Sequence, residues 1–122
     1  MTVLRLFLGC LLFLSCAMTP PPESAINPAL LKDGIYEGSY RGGPNKAVVR
    51  VSIAEGKISS IKVVAHQAWR GRKAEQPIME RIIATQSTNV DAVSGATNSS
   101  RVIMNAVQNA VEKAYSPNNP PW

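Results

Sequence analysis

Thiols are nearly missing from this 122-residue chain: it has two cysteines, Cys10 and Cys16, both within the first sixteen residues. A mature chain that begins at Cys16 has no disulfide pair, no thiolate metal cluster and no free catalytic thiol. Histidine is scarcer still. His66 stands alone, so a histidine-built metal centre has nothing to draw on. Long apolar runs are absent as well: the stretch from Leu6 to Leu14 suits the h-region of a secretory signal and is too short for a membrane-spanning helix. Acidic residues are outnumbered, eight against thirteen Lys and Arg. The resulting charge of +5 is spread along the chain except at Arg70-Gly71-Arg72-Lys73. A balance of that size suits an anionic cofactor, an anionic membrane surface or nothing in particular.

What is present at the start is an address. Arg5 precedes the apolar run, which ends at Phe13-Leu14-Ser15-Cys16. This pattern resembles a bacterial lipobox, with Phe13 where Leu is usual, and so predicts a signal peptide over 1–15 and lipidation at Cys16. An ordinary cleaved signal peptide and an uncleaved anchor are the alternatives. Thr19-Pro20-Pro21-Pro22-Glu23-Ser24 has no apolar periodicity and three consecutive prolines, which predicts a flexible, extended tether over 16–32. The other end, Ser116 to Trp122, reads as a disordered tail. The domain between, 33–115, is one small unit with a single core. Its expected place is outside the cytoplasm, anchored to the cell membrane or outer membrane, and export argues against a nucleic-acid partner.

Within that unit the patterning predicts an α+β fold, a small antiparallel sheet of three to four strands packed against two helices. Ile35 to Tyr40 reads as a first strand closed by Arg41-Gly42-Gly43-Pro44. Val49, Val51 and Ile53 then alternate with Val48, Arg50 and Ser52, as in a strand with one buried face. Ala54-Glu55-Gly56-Lys57 turns the chain into a third strand, Ile58 to His66. Ala74 to Thr88 reads as a helix with Pro77 near its start and Ile78, Ile82, Ile83 and Ala84 on its apolar side. A last helix, Ser99 to Tyr115, carries Val102, Ile103, Ala106, Val107, Ala110, Val111 and Ala114 on one face.

Between the helices lies Asp91-Ala92-Val93-Ser94-Gly95-Ala96-Thr97-Asn98-Ser99-Ser100. Gly95 and Ala96 leave the backbone open to close approach. The N–H groups of the next helix point outward, and the Ser99 and Ser100 hydroxyls can donate or cap. A phosphate beside Thr97 fits these features. On composition alone the plainer reading is an N-cap loop. Ser94 is no hydrolase nucleophile, because Ala92 and Ala96 stand where the glycines of a Gly-x-Ser-x-Gly elbow belong.

The order of these residues resembles the flavinylation motif of the FMN-binding domain family, in which an acidic residue precedes a Ser/Thr-Gly-Ala-Thr core. That family includes domains of the C subunit of the sodium-pumping NADH:quinone reductase, the G subunit of the Rnf complex and some periplasmic fumarate-type reductases. Asp33-Gly34-Ile35-Tyr36-Glu37-Gly38, the valine-rich hairpin, Gly56-Lys57-Ile58 and Ile82 to Ser87 also look like family features in family order. The resemblance implies covalent FMN on Thr97 through a phosphoester bond, with Asp91, Ser94, Gly95 and Ala96 in the matching places.

It further implies a separate flavin transferase that uses FAD and a divalent metal ion, with Thr97 as the acceptor of modification and Asp91 assisting or merely ordering the loop. A lone hydroxyl with no adjacent general base does not modify itself. The expected protein is therefore a tethered redox carrier and not a self-sufficient enzyme, exchanging electrons with membrane or periplasmic partners. Trp69 is a candidate to stack on the flavin and His66 to bond its edge, while Arg70, Arg72 and Lys73 can offset its negative charge. A reversible FMN-binding module and a structural envelope lipoprotein are the competing readings.

Overall fold

A computed structural model describes residues 19–22, 26–68 and 71–115; the leader with Cys16, Trp69 and the C-terminal tail lie outside them. Three antiparallel strands, β1 (Gly34–Gly42), β2 (Asn45–Ala54) and β3 (Lys57–Gln67), form a meander in the order β1-β2-β3. Two helices follow, α1 (Glu75–Thr85) and α2 (Thr97–Glu112), with a single 3-10 turn at Gly71–Ala74 leading into α1. The architecture is the α+β arrangement expected of the sequence, with three strands.

The period of two in β2 decides which face is covered. Ala47, Val49, Val51 and Ile53 are buried, while Arg50 and Ala54 are exposed. Register carries the same division to the neighbours: Tyr36, Gly38 and Tyr40 lie opposite Val51, Val49 and Ala47, and Ile61, Val63 and His66 flank them on β3. Both helices lie on this face. Each fully buried Val or Ile side chain there contributes roughly 1.5–3 kcal/mol of transfer free energy.

The β2–β3 hairpin turns at Glu55 and Gly56, both with positive φ (55° and 72°), which matches the right-handed twist of the strands. Two register irregularities interrupt the pairing with β3, one between Val48 and Val49 and one between Ser52 and Ile53. Helix α1 stops at Gln86, which adopts the left-handed conformation. The Gln86 amide group then works as a one-residue strand: its Oε1 accepts from the Ile58 N–H at 2.8 Å and its Nε2 donates to the Ile58 carbonyl at 3.0 Å. At the other edge Asn109 Nδ2 and Lys113 Nζ donate to the carbonyls of Ser39 and Glu37 (2.7 and 2.6 Å). Side chains from the helices thus occupy backbone groups on both edge strands, which otherwise invite pairing with another chain.

Ala84 is exposed, against the expected apolar side of α1. It stands two residues, about 200° of helix rotation, from buried Ile82. Helix α2 is buried over more of its circumference than its aliphatic stripe, with Ser99, Ser100 and Gln108 also inside. The loop leading out of α1 covers that extra surface: the Thr88 hydroxyl, itself buried, donates to Gln108 Oε1 at 2.5 Å.

The N-terminal residues also lie against this body. Leu31 bridges to Tyr115, and the Tyr115 hydroxyl accepts from the Asn27 N–H at 2.8 Å. Arg101 Nη1 donates to the Thr19 carbonyl at 3.2 Å and Asn105 Nδ2 to the Pro20 carbonyl at 2.8 Å. Prolines donate no backbone hydrogen bonds, so polar side chains of α2 hold the backbone of this segment through its carbonyls.

The seating of α2 depends on Gly38. A methyl group there would overlap the Ala106 carbonyl oxygen and the Ala110 nitrogen and lie 2.8 Å from the Ala110 Cβ. Because the nearest atoms are helix backbone, neither side can yield cheaply. Gly38→Ala is expected to lower the melting temperature by roughly 8–20 °C in thermal circular dichroism.

Candidate functional site

Helix α2 begins at Thr97 because the chain before it is held out of helical geometry. Gly95 has φ +78°, a conformation that costs little only for glycine. Ala96, the N-cap, has φ −139° and ψ 39° and offers no capping side chain. The turn is closed by the Ala96 N–H donating to the Val93 carbonyl at 3.0 Å. Ser100 ties the loop down from within the helix: its hydroxyl accepts from the Val93 N–H at 3.0 Å and donates to the Ala96 carbonyl at 2.7 Å. That hydroxyl is fully buried, and its bonds go to the loop's own backbone.

The neighbouring side chains fasten the first turn to the rest of the domain. Ser99 Oγ accepts from Asn45 Nδ2 at 3.1 Å and lies so close to Gly71 that a methyl group on Gly71 would overlap it. Asn98 Nδ2 donates to the Gly42 carbonyl at 3.1 Å, and its Oδ1 accepts from the Thr19 hydroxyl. Ser94 and Gly95 remain exposed and Thr97 half-buried. Thr97 therefore sits on a helix turn anchored on three sides while its own surface stays accessible.

Lys73 approaches the same place from the 3-10 turn. Its Nζ lies 3.0 Å from the point where a side chain on Gly95 would begin. An ammonium group and the positive end of the α2 dipole converge over a bare stretch of backbone. The first-turn amides of a helix lack intrahelical acceptors and point toward the same region. Asp91 is exposed, and its carboxylate makes no ion pair among the described residues. Its backbone carbonyl accepts from Arg81 Nη1 at 2.6 Å, which ties the start of the loop to α1.

His66 is placed differently. It lies opposite Ala47 on the helix-facing side of the sheet, and its side chain is 2 % exposed. Nδ1 is 3.0 Å from Glu75 Oε2, and Nε2 has no hydrogen-bond partner among the described residues. A carboxylate beside Nδ1 assigns the neutral ring's proton to that nitrogen. The imidazole is thus inside the fold, whereas Lys73 is the cation brought to the Ser94-Gly95-Ala96-Thr97 turn. An open depression of about 650 Å³ lies on the other side of Asp91, lined by Arg81, Thr85, Ser87, Asn89 and Val90. Neither Thr97 nor Lys73 borders it.

Lys73 was visible in the sequence only as part of a basic cluster. Asn45 and Asn98 carried no local signal, since Asn45 meets Ser99 across 54 residues of chain and Asn98 meets Gly42 across 56. These residues fit a phosphate group: a cation, a glycine with an open backbone, a helix N-terminus and a reachable hydroxyl occupy one surface.

Fold and site together describe a small α+β domain whose last helix begins on a surface that fits a phosphate group. The sequence profile of the FMN-binding domain family matches residues 42–112. The chain belongs to that family, and its cofactor is FMN. An "Uncharacterized protein" of Treponema pallidum (strain Nichols) is 37 % identical over 93 residues, covering 71 % of this chain and 25 % of the relative. The NADH:fumarate oxidoreductase of Klebsiella pneumoniae (strain 342) is 29 % identical over 94 residues, covering 75 % of this chain and 10 % of that protein. The NADH:acrylate oxidoreductase of Vibrio harveyi is 34 % identical over 89 residues, 71 % of this chain and 9 % of that one. The chain thus spans a quarter or less of the relatives it matches.

Because the Ser100 hydroxyl ties the loop down, Ser100→Ala leaves the Val93 N–H without its acceptor. The expected loss is about 1–2 kcal/mol of stability in urea unfolding. Faster hydrogen exchange at the Val93 amide, with Val49 in the middle of the central strand less affected, would show that the loss is local.

Proposed function

We propose that this chain is an exported electron-transfer flavoprotein that carries FMN on Thr97 through a phosphoester bond and is held to a membrane by a lipid on Cys16. The observation that supports the linkage is the meeting of Lys73 Nζ with the Gly95 turn at the N-terminus of α2, beside the accessible Thr97. Support for electron transfer comes from the family and from relatives named as NADH-dependent oxidoreductases. The leader and the Ser15-Cys16 pair support export and anchoring.

In this reading each residue has a limited task. Thr97 offers its hydroxyl oxygen to the FMN phosphorus of FAD held by a transferase, so that the phosphoester would form as the pyrophosphate bond breaks, with AMP as the leaving group and the hydroxyl proton released. Lys73 and the first-turn amides hold the phosphate and offset its charge. Asn98, Ser99 and Ser100 keep that turn in place through Gly42, Asn45 and the Val93–Ala96 backbone. Asp91 stands where it can orient the loop toward a flavin transferase. The flavin, once bound, supplies the redox chemistry. The domain's task is to present it to partner proteins, a membrane-side donor and an acceptor outside the cytoplasm.

The test is in-gel flavin fluorescence after co-expression with an exported flavin transferase. The parent is expected to give a fluorescent band under denaturing conditions, and Thr97→Ala none. Lys73→Glu should lower incorporation roughly fivefold, with Lys73→Arg near the parent level. A dark parent beside a fluorescent known acceptor in the same cells would overturn covalent attachment. Native protein that is yellow and loses its colour on denaturation would assign reversible FMN binding in its place.

A further inference from the structure

The face of the sheet turned away from the helices is covered by none of the described residues, and its charges are arranged at a cost. Cross-strand register places Arg50 directly opposite Lys62, and Arg41 directly opposite Lys46. Lys57, opposite Ala54, adds a fifth cation to the face. Glu37 is the acid that shares it: Glu37 pairs with Arg50 at 3.4 Å, with both side chains half exposed. Like charges facing each other across strands are destabilising, and an exposed pair such as Glu37–Arg50 offsets little of that. Nothing within the fold is gained by keeping these cations together.

The rows between them are of another kind. Ser39, Val48 and Ala65 form one row, with the exposed Val64 beside it, and Ile35, Ser52 and Ser60 form another. Ile35 is 72 % exposed. Basic rows alternating with small and apolar ones suit a protein partner, whose acidic groups can meet each row and whose own cation can meet Glu37. A uniformly anionic lipid surface would repel Glu37. The Arg41–Lys46 row also adjoins Gly42 and Asn45, which hold Asn98 and Ser99 beside Thr97.

We propose that this exposed sheet face docks the acidic surface of a redox partner protein, steering it electrostatically toward the cofactor end of the domain. The partner's being a redox protein rests on the electron-carrier reading above; the docking itself does not. Complementary charge raises encounter rates and selects partners in transient complexes.

The experiment uses the full chain held in neutral phosphatidylcholine nanodiscs, with two probes: a plant-type [2Fe–2S] ferredoxin, an acidic one-electron carrier, and phosphatidylglycerol vesicles. The parent is expected to bind ferredoxin in a salt-sensitive way. Lys62→Glu should weaken this roughly fivefold to tenfold and yet raise the melting temperature by about 2–6 °C, because Arg50 then faces an acid. Lys46→Glu should weaken binding similarly, whereas Lys32→Glu, the same charge change off the sheet face, should alter it less than about twofold. No binding by the parent, or equal weakening by Lys32→Glu and Lys62→Glu, overturns the proposal. So does loss of vesicle binding in Lys62→Glu with ferredoxin binding unchanged, which would make the face a membrane surface. Repeating the titration with Thr97→Ala separates the two claims: docking that persists without FMN supports the face whether or not the flavin attaches at Thr97.

Discussion

The close seating of α2 on the sheet at Gly38 is the constraint from which the rest of the domain follows. Without a side chain at that position, the helix backbone at Ala106 and Ala110 comes down onto β1. That contact places the aliphatic stripe of α2 over Ala47, Val49 and Val51. It also sets the height and direction at which the first turn of α2 emerges, and with it the position of Thr97. A larger residue would have to lift the helix, and the bonds from Asn98 to Gly42 and from Asn45 to Ser99 would stretch with it.

Support and exposure are separated along this helix in a way that suits a carried cofactor. Asn98, Ser99 and Ser100 each spend their polar groups inward, on the hairpin, on the neighbouring 3-10 turn's surroundings and on the preceding loop. Thr97, Gly95 and Ser94 are left at the surface with Lys73 above them. A rigid first turn orients an attached group without enclosing it, and a redox carrier has to offer its cofactor to more than one protein. The Arg41–Lys46 pair of the basic sheet face adjoins Gly42 and Asn45, the residues that hold this turn.

Much of the scaffold was legible from periodicity. Alternation in Val49, Val51 and Ile53 marked the buried face of β2, and spacings of three and four along α2 marked its buried stripe. The irregular features were not. The register shifts opposite Val49 and Ile53 leave no composition signature. The docking of Thr19 to Pro22 on α2 was equally hidden, since three prolines read as extended chain whether or not a helix holds their carbonyls. Gln86 looked like an ordinary residue past a helix end, and only its approach to Ile58 turned its side chain into an edge cap. The Ser94 to Ser100 run was conspicuous, but two of its hydroxyls face inward for reasons that lie in the loop's own geometry.

Local chain chemistry decided the elements, their order and the hydroxyl-rich run before the last helix. Hydrophobic period, turn residues and the Gly95 break before a helix act over a few positions and can be read there. The tertiary structure alone decided that Lys73 stands over that break and that His66 turns inward to Glu75. It likewise decided that Arg50 faces Lys62 and Arg41 faces Lys46 on one surface that the described residues leave uncovered. Each of these depends on register and on contacts across a fold, where the energy of a pair is set by the distance between side chains and not by their separation along the chain.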